Sequence, residues 1–413
     1  MTRILSFARA VPPSGSSAAR PAGSAAASRG AAFGVMTAIV LLALNLRTLV
    51  ASLPPLLTHV RADLGLSGFA AGLLTTLPVL AFGAFAPLAP RLTRRISIER
   101  VLVGCAVLTT IAAGLRGAGG WAPLYLGCAL AGLAVALAQA VLPVFIRLRH
   151  PEMTGMLTGA YSMSLTLGAT LAAALAVPLE DGLGSWEASL AAWALPAAVA
   201  ALVWLPAALR TGTTVSGPPS PGLWGNRLAW NVSLFMGVQS MAFYAGLSWL
   251  PSVLEDSGFS EGEAGTLQAL GALVQLAPAF AVPVLAARSQ HQIGVLVAIV
   301  VFSTAGVIGL IVAPSAALLW ILVFGIGQGG ALGLGLILPV LRGGDAASVA
   351  SLTAMSLCVG YIVAAAGPWL LGAANDLSGG WTIPLIVLAA ICLLELAPGL
   401  PASRAVRLEE EKA

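Results

Sequence analysis

An arginine and a small set of amides and tyrosines are the residues of this chain whose types and places could do chemistry. Arg47 stands inside a long apolar run, residues 32–51, that contains no acidic residue. An arginine at mid-helix costs about 2.5 to 3.5 kcal/mol on membrane insertion scales. Keeping it there requires water or an anionic partner, so Arg47 is expected to contact the transported or bound molecule. The competing role is structural: an anchor to helix-end carbonyls, or snorkelling to the nearer interface, since Arg47 lies past the middle of its run. Asn45 is about 200° away around a helix at about 100° per residue. Both cannot face one cavity. The charge has the greater need of water, so Asn45 is expected to bond to a neighbouring helix, although it stays in the candidate substrate-binding set. Gln268 and Gln275 are spaced to share one helical face, as a polar wall or as helix-to-helix hydrogen bonds.

The absences narrow the chemistry. No acidic residue falls at the middle of an apolar run; Glu395, toward one end of the last run, is the one embedded acid. His59, His150 and His291 fall in the breaks between runs. A carboxylate proton relay is therefore unsupported, and so is a membrane enzyme, which needs a converging nucleophile, acid and base or a metal cluster. The four cysteines lie in apolar runs without CxxC spacing and read as small apolar fillers. What remains is one positive charge among amides and aromatics. Such a pocket suits a small anion, or a neutral molecule with a nitro or carbonyl group. No cofactor, no metal and no nucleic-acid partner is expected.

The elements that must position these residues are membrane helices. Hydrophobic residues are 58% of the chain, charged residues 9%, and the mean hydropathy is +0.95. A soluble domain carries about 25% charged residues. Twelve apolar runs of spanning length are expected, near 33–57, 68–90, 101–117, 122–146, 155–178, 186–209, 228–253, 264–287, 293–313, 317–341, 348–374 and 380–400. Alternate breaks collect Arg91, Arg94, Arg95, Arg100, Arg147, Arg149, Arg210, Arg227, Arg288 and Arg342. The other breaks hold only Arg61 and Arg116 with most of the acids. That bias predicts both termini in the cytoplasm. The arginine-rich, alanine-rich composition suggests a bacterial source, and hence its cytoplasmic membrane. Residues 1–30 read as a disordered tail, 31–209 as one six-helix bundle, 210–226 as a polar linker, 227–401 as a second six-helix bundle, and 402–413 as a tail.

The two bundles repeat one another. Gly65-Leu-Ser-Gly-Phe-Ala-Ala-Gly-Leu-Leu74 lies over Gly258-Phe-Ser-Glu-Gly-Glu-Ala-Gly-Thr-Leu267, and Val141-Leu-Pro-Val144 over Ile337-Leu-Pro-Val340, at offsets of about 193 and 196 residues. Parallel six-span repeats are a transporter signature, with the site near midplane between them. Aligning Pro54 with Pro251 places Arg47 over Tyr244. These two side chains should face each other across the central axis, unless Tyr244 serves only packing.

Residues 33–400 resemble a twelve-span major facilitator superfamily transporter. Leu44-Asn-Leu-Arg47, Ala62-Asp-Leu-Gly-Leu-Ser67, Gly72-Leu-Leu-Thr-Thr-Leu-Pro-Val79, Ala86-Pro-Leu-Ala-Pro-Arg-Leu-Thr-Arg-Arg95 and Gly155-Met-Leu-Thr-Gly-Ala-Tyr161 are similar to its cyanate and 2-nitroimidazole porters. The loop after the second span departs from the superfamily's acid-bearing pattern. Its arginines are present, but Pro90 replaces the acid. The usual charge relay cannot form there, and the arginines are left as gate or as cytoplasmic anchors.

The resemblance implies that spans one, four, seven and ten line a cavity, with two, five, eight and eleven beside them. It adds Gln139, Tyr161 and Gln328 to Arg47, Tyr244, Gln268, Gln275 and Asn45 as candidate substrate-binding residues. Gln328 sits among Gly325, Gly329 and Gly333, a flat face that also suits helix packing alone. Arg91, Arg94, Arg95, Pro143, Pro339 and Gly329 are the candidate gating and bending positions. The expected fold is an all-α polytopic membrane protein of twelve helices in two pseudo-symmetric bundles. The expected function is secondary transport of a small anionic or dipolar solute by alternating access, with a multidrug or metabolite efflux carrier as the alternative and a channel as a third class. Partners would be the solute and membrane lipids, with the chain a monomer. The sequence names no coupling ion, the proton included.

Overall fold

The computed structural model describes residues 22–209, 212–215, 223–406 and 408. Among these the regular elements are all helical. Ten segments are long and apolar enough to cross a membrane: Gly34–Leu64, Ile98–Arg116, Trp121–Arg149, Pro151–Leu183, Trp186–Leu209, Gly262–Arg288, Ile293–Val312, Pro314–Arg342, Ala346–Ser378 and Thr382–Ala402. Gly68–Phe85, continued by Ala89–Arg95, is the second span in chain order, and Arg227–Asp256 is the seventh. With these two the spans number twelve, six before the linker and six after it.

Local chemistry explains where spans begin. Ser67, Ser185, Asn226, Ser260 and Asp345 each accept a backbone N–H at a helix start, and Ser260 forms a full capping box with Glu263. The repeated Gly-x-Ser is one such start in each half. Gly65 and Gly258 have positive φ, 61° and 95°, and the serine two residues on caps the next span.

Close packing repeats as well. A Cβ on Gly168 of the fifth span would strike the carbonyl of Leu44 in the first. One on Gly367 of the eleventh would strike that of Met241 in the seventh. Likewise Gly132 lies against Pro78, and Gly329 against Gln275. These pairs stand at nearly the spacing that separates Arg47 from Tyr244, so the two halves share a backbone plan.

The helix ends form two sets. One gathers residues 93–99, 147–149, 213–215, 289–292, 342–344, 402–406 and 408. There Ile98 N–H donates to Thr213 O at 3.0 Å and Val215 N–H to Thr93 O at 2.9 Å. The other set carries His59 with Glu180 at 2.8 Å and Trp186 with Asp63 at 3.2 Å. The halves are joined toward the first, basic set. Gly155 lies against Pro283 and Ala287, Gly159 against Phe280, and Arg147 Nη2 donates to Gly344 O at 2.9 Å. Among the described residues, no hydrogen bond joins the halves at the acidic ends.

Two expectations are corrected. The helix of the first span begins at Ala22, inside the expected tail, because its alanine-rich sequence is strongly helix-forming. Arg116 is not a loop residue. It is fully buried and donates to Leu49 O at 2.6 Å and Ser52 Oγ at 3.3 Å, satisfying the end of the first span. Pro143 and Pro339 lie inside continuous helices, and the breaks within spans fall near Ala86, Trp193, Gln275, Ala365 and Glu395. The remainder of the expected tails and linker, residues 1–21, 210–211, 216–222, 407 and 409–413, lies outside the described residues.

The glycine contacts carry a test. Gly168→Ala should destabilise by about 1–3 kcal/mol, because its Cβ meets backbone that cannot retreat. Gly104→Ala, whose Cβ would meet nothing within 4 Å, should be neutral or slightly stabilising. Thermal unfolding of the two variants in detergent compares them directly.

Candidate functional site

The fold brings Arg47 and Tyr244 together. Arg47 Nη1 donates to the Tyr244 hydroxyl at 3.0 Å, and Nη2 donates to the Tyr361 hydroxyl at 3.3 Å. Tyr244 comes from the seventh span and Tyr361 from the eleventh. One guanidinium of the first half is thus bonded to two helices of the second. Tyr361 in turn donates to Gln139 Oε1 of the fourth span at 3.2 Å, and Phe82 of the second span meets its ring edge-on at a centroid distance of 5.0 Å. Tyr161 of the fifth span is fully buried, its hydroxyl has no partner, and it lies within electrostatic range of Arg47 and Tyr361.

No carboxylate pairs with Arg47 among the described residues. Its charge is met by neutral oxygens, and a hydrogen bond to a charged group contributes about 1.5–3 kcal/mol net. Tyr361 and Gln139 are buried, at 3% and 1% exposure. Arg47 and Tyr244 are half-buried, and so are Gln268 and Gln275 farther along the eighth span. The tyrosine–glutamine pair is thus the more buried end of the group, and Arg47 with Tyr244 the less buried end.

Other candidates stand apart from this group. Asn45 turns away, donating to Leu41 O at 2.8 Å and Pro196 O of the sixth span at 3.1 Å. Gln328 donates to Ser303 Oγ of the ninth span at 3.2 Å, and Gln239 bonds to Ser240 Oγ and Met236 O beside it. The Gln328 amide ties the tenth span to the ninth, the Gln239 amide bonds within its own helix, and neither is bonded to Arg47. Gln268 donates to Leu247 O at 3.3 Å and Gln275 to Gly271 O at 3.2 Å. Gln275 also marks the break in its span, so the pair does not lie on one continuous helix. Gly325, Gly329 and Gly333 all pack against the eighth span.

Tyr361 was not among the expected residues. A signal for it existed: Tyr161 and Tyr361 hold the same place in the fifth and eleventh spans, at nearly the Arg47–Tyr244 spacing.

Residues 35–365 match the Major Facilitator Superfamily. The chain belongs to that superfamily. It is 35% identical over 378 residues to the 2-nitroimidazole transporter of Escherichia coli (strain K12), covering 90% of this chain and 95% of that one. It is 31% identical over 367 residues to the cyanate transport protein CynX of the same organism, covering 88% and 95%. Among solved structures, the proton:xylose symporter XylE superposes with a TM-score of 0.73 at 14% identity, over 92% of this chain and 98% of that one. That likeness concerns the fold.

Within this major facilitator fold, the arginines after the second span are not bonded. Arg91 and Arg95 are exposed, Arg94 is half-buried, and none has a hydrogen-bond or ion-pair partner among the described residues. The charge that holds the basic ends lies elsewhere. Glu99, 3% exposed at the start of the third span, accepts Arg149 Nε at 2.9 Å, Arg149 Nη2, and Thr213 N–H at 3.2 Å. In the second half Arg342 takes the same place. It donates to Gln292 Oε1 and to Ala402 O, the latter at 2.8 Å, and Gln292 N–H donates to Ser403 O at 3.0 Å. Each half thus clasps its fourth-rank span to its third and to the chain that leaves its sixth. Pro90 removes the superfamily's usual acid, and Glu99 supplies one a few residues on.

Removing Arg149 strands a buried carboxylate. Arg149→Ala should lower stability by about 2 kcal/mol, a figure kept low because Arg149 is partly exposed and Thr213 still donates. Arg91→Ala should change it by no more than about 0.5 kcal/mol. Equal melting temperatures for the two variants would contradict the assignment of the clasp.

Proposed function

We propose that this protein is a secondary transporter that moves a small anion or strongly dipolar solute across the cytoplasmic membrane of a bacterium by alternating access, with Arg47 as the charge that binds it. The observation that carries this reading is the guanidinium bonded across the two halves with no carboxylate to neutralise it. A partly accessible, unpaired cation in a low-dielectric span has its strongest available partner in a ligand anion. Two relatives point the same way through what their names say they carry. Cyanate and the nitro group of 2-nitroimidazole both present electronegative atoms that accept hydrogen bonds. Tyr244, Tyr361, Gln139 and Tyr161 belong to the binding group in this reading. Gln268 and Gln275 line its approach.

The distribution of arginine supports an orientation with the basic ends, and both termini, in the cytoplasm. In that orientation the contacts of Gly155, Gly159 and Arg147 that join the halves lie on the cytoplasmic side. Rocking of one six-span bundle against the other would transfer access to the opposite face.

A ligand panel read by thermal shift on purified protein tests the reading: cyanate, nitrate, small carboxylates, 2-nitroimidazole and neutral amides. At least one anion or nitro compound should stabilise the wild type, and Arg47→Ala should lose that shift. Arg47→Lys should retain it only weakly, with affinity reduced about tenfold or more, because one ammonium cannot present the guanidinium fork to two tyrosines. A ligand that stabilises wild type and Arg47→Ala alike does not use this site. Saturable counterflow of the bound solute in proteoliposomes distinguishes a carrier from a channel.

A further inference from the structure

Hydrogen-bond direction in the Arg47 group can be followed atom by atom. A guanidinium only donates. The oxygens of Tyr244 and Tyr361 must therefore be acceptors toward Arg47. Each hydroxyl still has one proton. The Tyr361 proton goes to Gln139 Oε1, the acceptor at 3.2 Å in a position 3% exposed. That bond uses the amide oxygen of Gln139 and leaves its Nε2 as a buried donor with no partner. The Tyr244 proton and the Tyr161 hydroxyl have no partner either, and Arg47 Nε and the outer hydrogens of its two Nη atoms remain.

We infer that Tyr361 is a positioning residue that fixes the polarity of the site: by holding the Gln139 carbonyl it turns the amide N–H₂ toward the ligand, so that the site offers hydrogen-bond donors and selects ligand groups that only accept. This rests on the reading of Arg47 as the substrate-binding charge. It extends that reading from charge to hydrogen-bond sense. A free glutamine amide offers a donor or an acceptor by rotating half a turn and would admit neutral amides as readily as anions. With Tyr361 in place that rotation sets N–H₂ against the Tyr361 proton. A ligand N–H would then face Arg47, Tyr244 and Gln139 N–H₂ without an acceptor, and an unmatched buried donor is strongly disfavoured. The chemical class selected is a small planar ion or group whose outer atoms all accept, such as cyanate, nitrate or a carboxylate. Planar molecules of like size that carry N–H₂, such as acetamide and urea, are rejected.

The test measures binding of cyanate, nitrate and acetate against acetamide and urea, by thermal shift and calorimetry on the full-length protein. Wild type should bind at least one of the three anions and neither amide. Tyr361→Phe should narrow the anion-to-amide affinity ratio by about tenfold or more, because Gln139 regains its rotation. Gln139→Leu should weaken the anion by a similar factor without admitting acetamide or urea. A loss of packing alone would lower both ligand classes together and leave the ratio unchanged. The melting temperature of each variant without ligand shows that it is folded. Should Tyr361→Phe prove unstable, wild-type binding and Gln139→Leu still decide the matter. Wild type that binds acetamide as well as acetate overturns the inference, as does an unchanged ratio in Tyr361→Phe or amide binding gained in Gln139→Leu. Anion binding that survives Arg47→Ala unaltered is a different failure, because it removes the underlying reading and this inference with it.

Discussion

A guanidinium within a membrane-spanning helix has to be solvated by something fixed, and here phenol oxygens do it. Tyr244 and Tyr361 take one Nη each, at 3.0 and 3.3 Å, from helices of the opposite half. Those bonds lower the cost of the buried charge but leave it uncancelled. A carboxylate in the same position would form an ion pair, and the site would no longer have charge to offer a ligand. In the proposed function, the neutral solvation of Arg47 therefore decides what the site is able to bind. The requirement runs outward from there. Tyr361 must be held, and Phe82 and Gln139 hold it. The helices must approach closely enough for a side chain to cross between halves, and Gly168 and Gly367 bring the fifth and eleventh spans against the first and seventh.

The internal repeat gives this arrangement its geometry. Arg47 and Tyr244 are 197 positions apart, and so are Arg147 and Gly344, the pair that joins the halves at the basic ends. Residues equivalent under the repeat meet where its axis passes between them. At one level the meeting is a charge with a phenol, and at the other a charge with a backbone carbonyl. The repeat is conserved in backbone and has diverged in side chains. The clasps at the basic ends show the same divergence. Arg149 pairs with the acid Glu99, while Arg342 pairs with the amide Gln292 and with the carbonyl of Ala402. One half is held by an ion pair with a partly exposed member, the other by an arginine whose partners are neutral.

Much of the fold was legible in the sequence because a bilayer imposes length and polarity on every span. Apart from the first helix, which begins at Ala22, the apolar runs located the spans to within about five residues, and Gly65 and Gly258 marked equivalent turns. The pairing of Arg47 with Tyr244 was legible too, since it needs only the repeat and a prolyl alignment. Side-chain direction around a helix was harder. Asn45 could be turned aside on the 100° rule because a charge beside it had the stronger claim to water. Gln328 had no such competitor. Its turn toward Ser303 depends on Gly327, where a Cβ would collide with the ninth span, and composition does not reveal that contact. Gln268 and Gln275 matched a helical stripe, but the break at Gln275 interrupts it. Tyr361 was hidden in a span rich in Ala, Ser and Val, and only extending the repeat from Tyr161 would have exposed it.

The strength of the contacts that cross between the halves bears on how such a protein would move. Four hydrogen bonds join the halves among the described residues, and none is an ion pair: Arg47 to two tyrosines, Tyr361 to Gln139, and Arg147 to Gly344. Bonds of this type contribute about 0.5–3 kcal/mol each, depending on charge. Breaking a buried ion pair by withdrawing one partner costs about 3–5 kcal/mol. The ion pair of the basic ends, Glu99 with Arg149, lies wholly within one half, where relative motion of the halves would not strain it. Strong electrostatics is thus kept inside a bundle and weaker, neutral-partnered bonds are placed between bundles. A ligand anion at Arg47 would replace part of what a tyrosine supplies, so its arrival would loosen the first half from the second at the level where access must change. In the proposed function, the same neutral oxygens that leave Arg47 its charge also hold the halves by bonds weak enough for them to part.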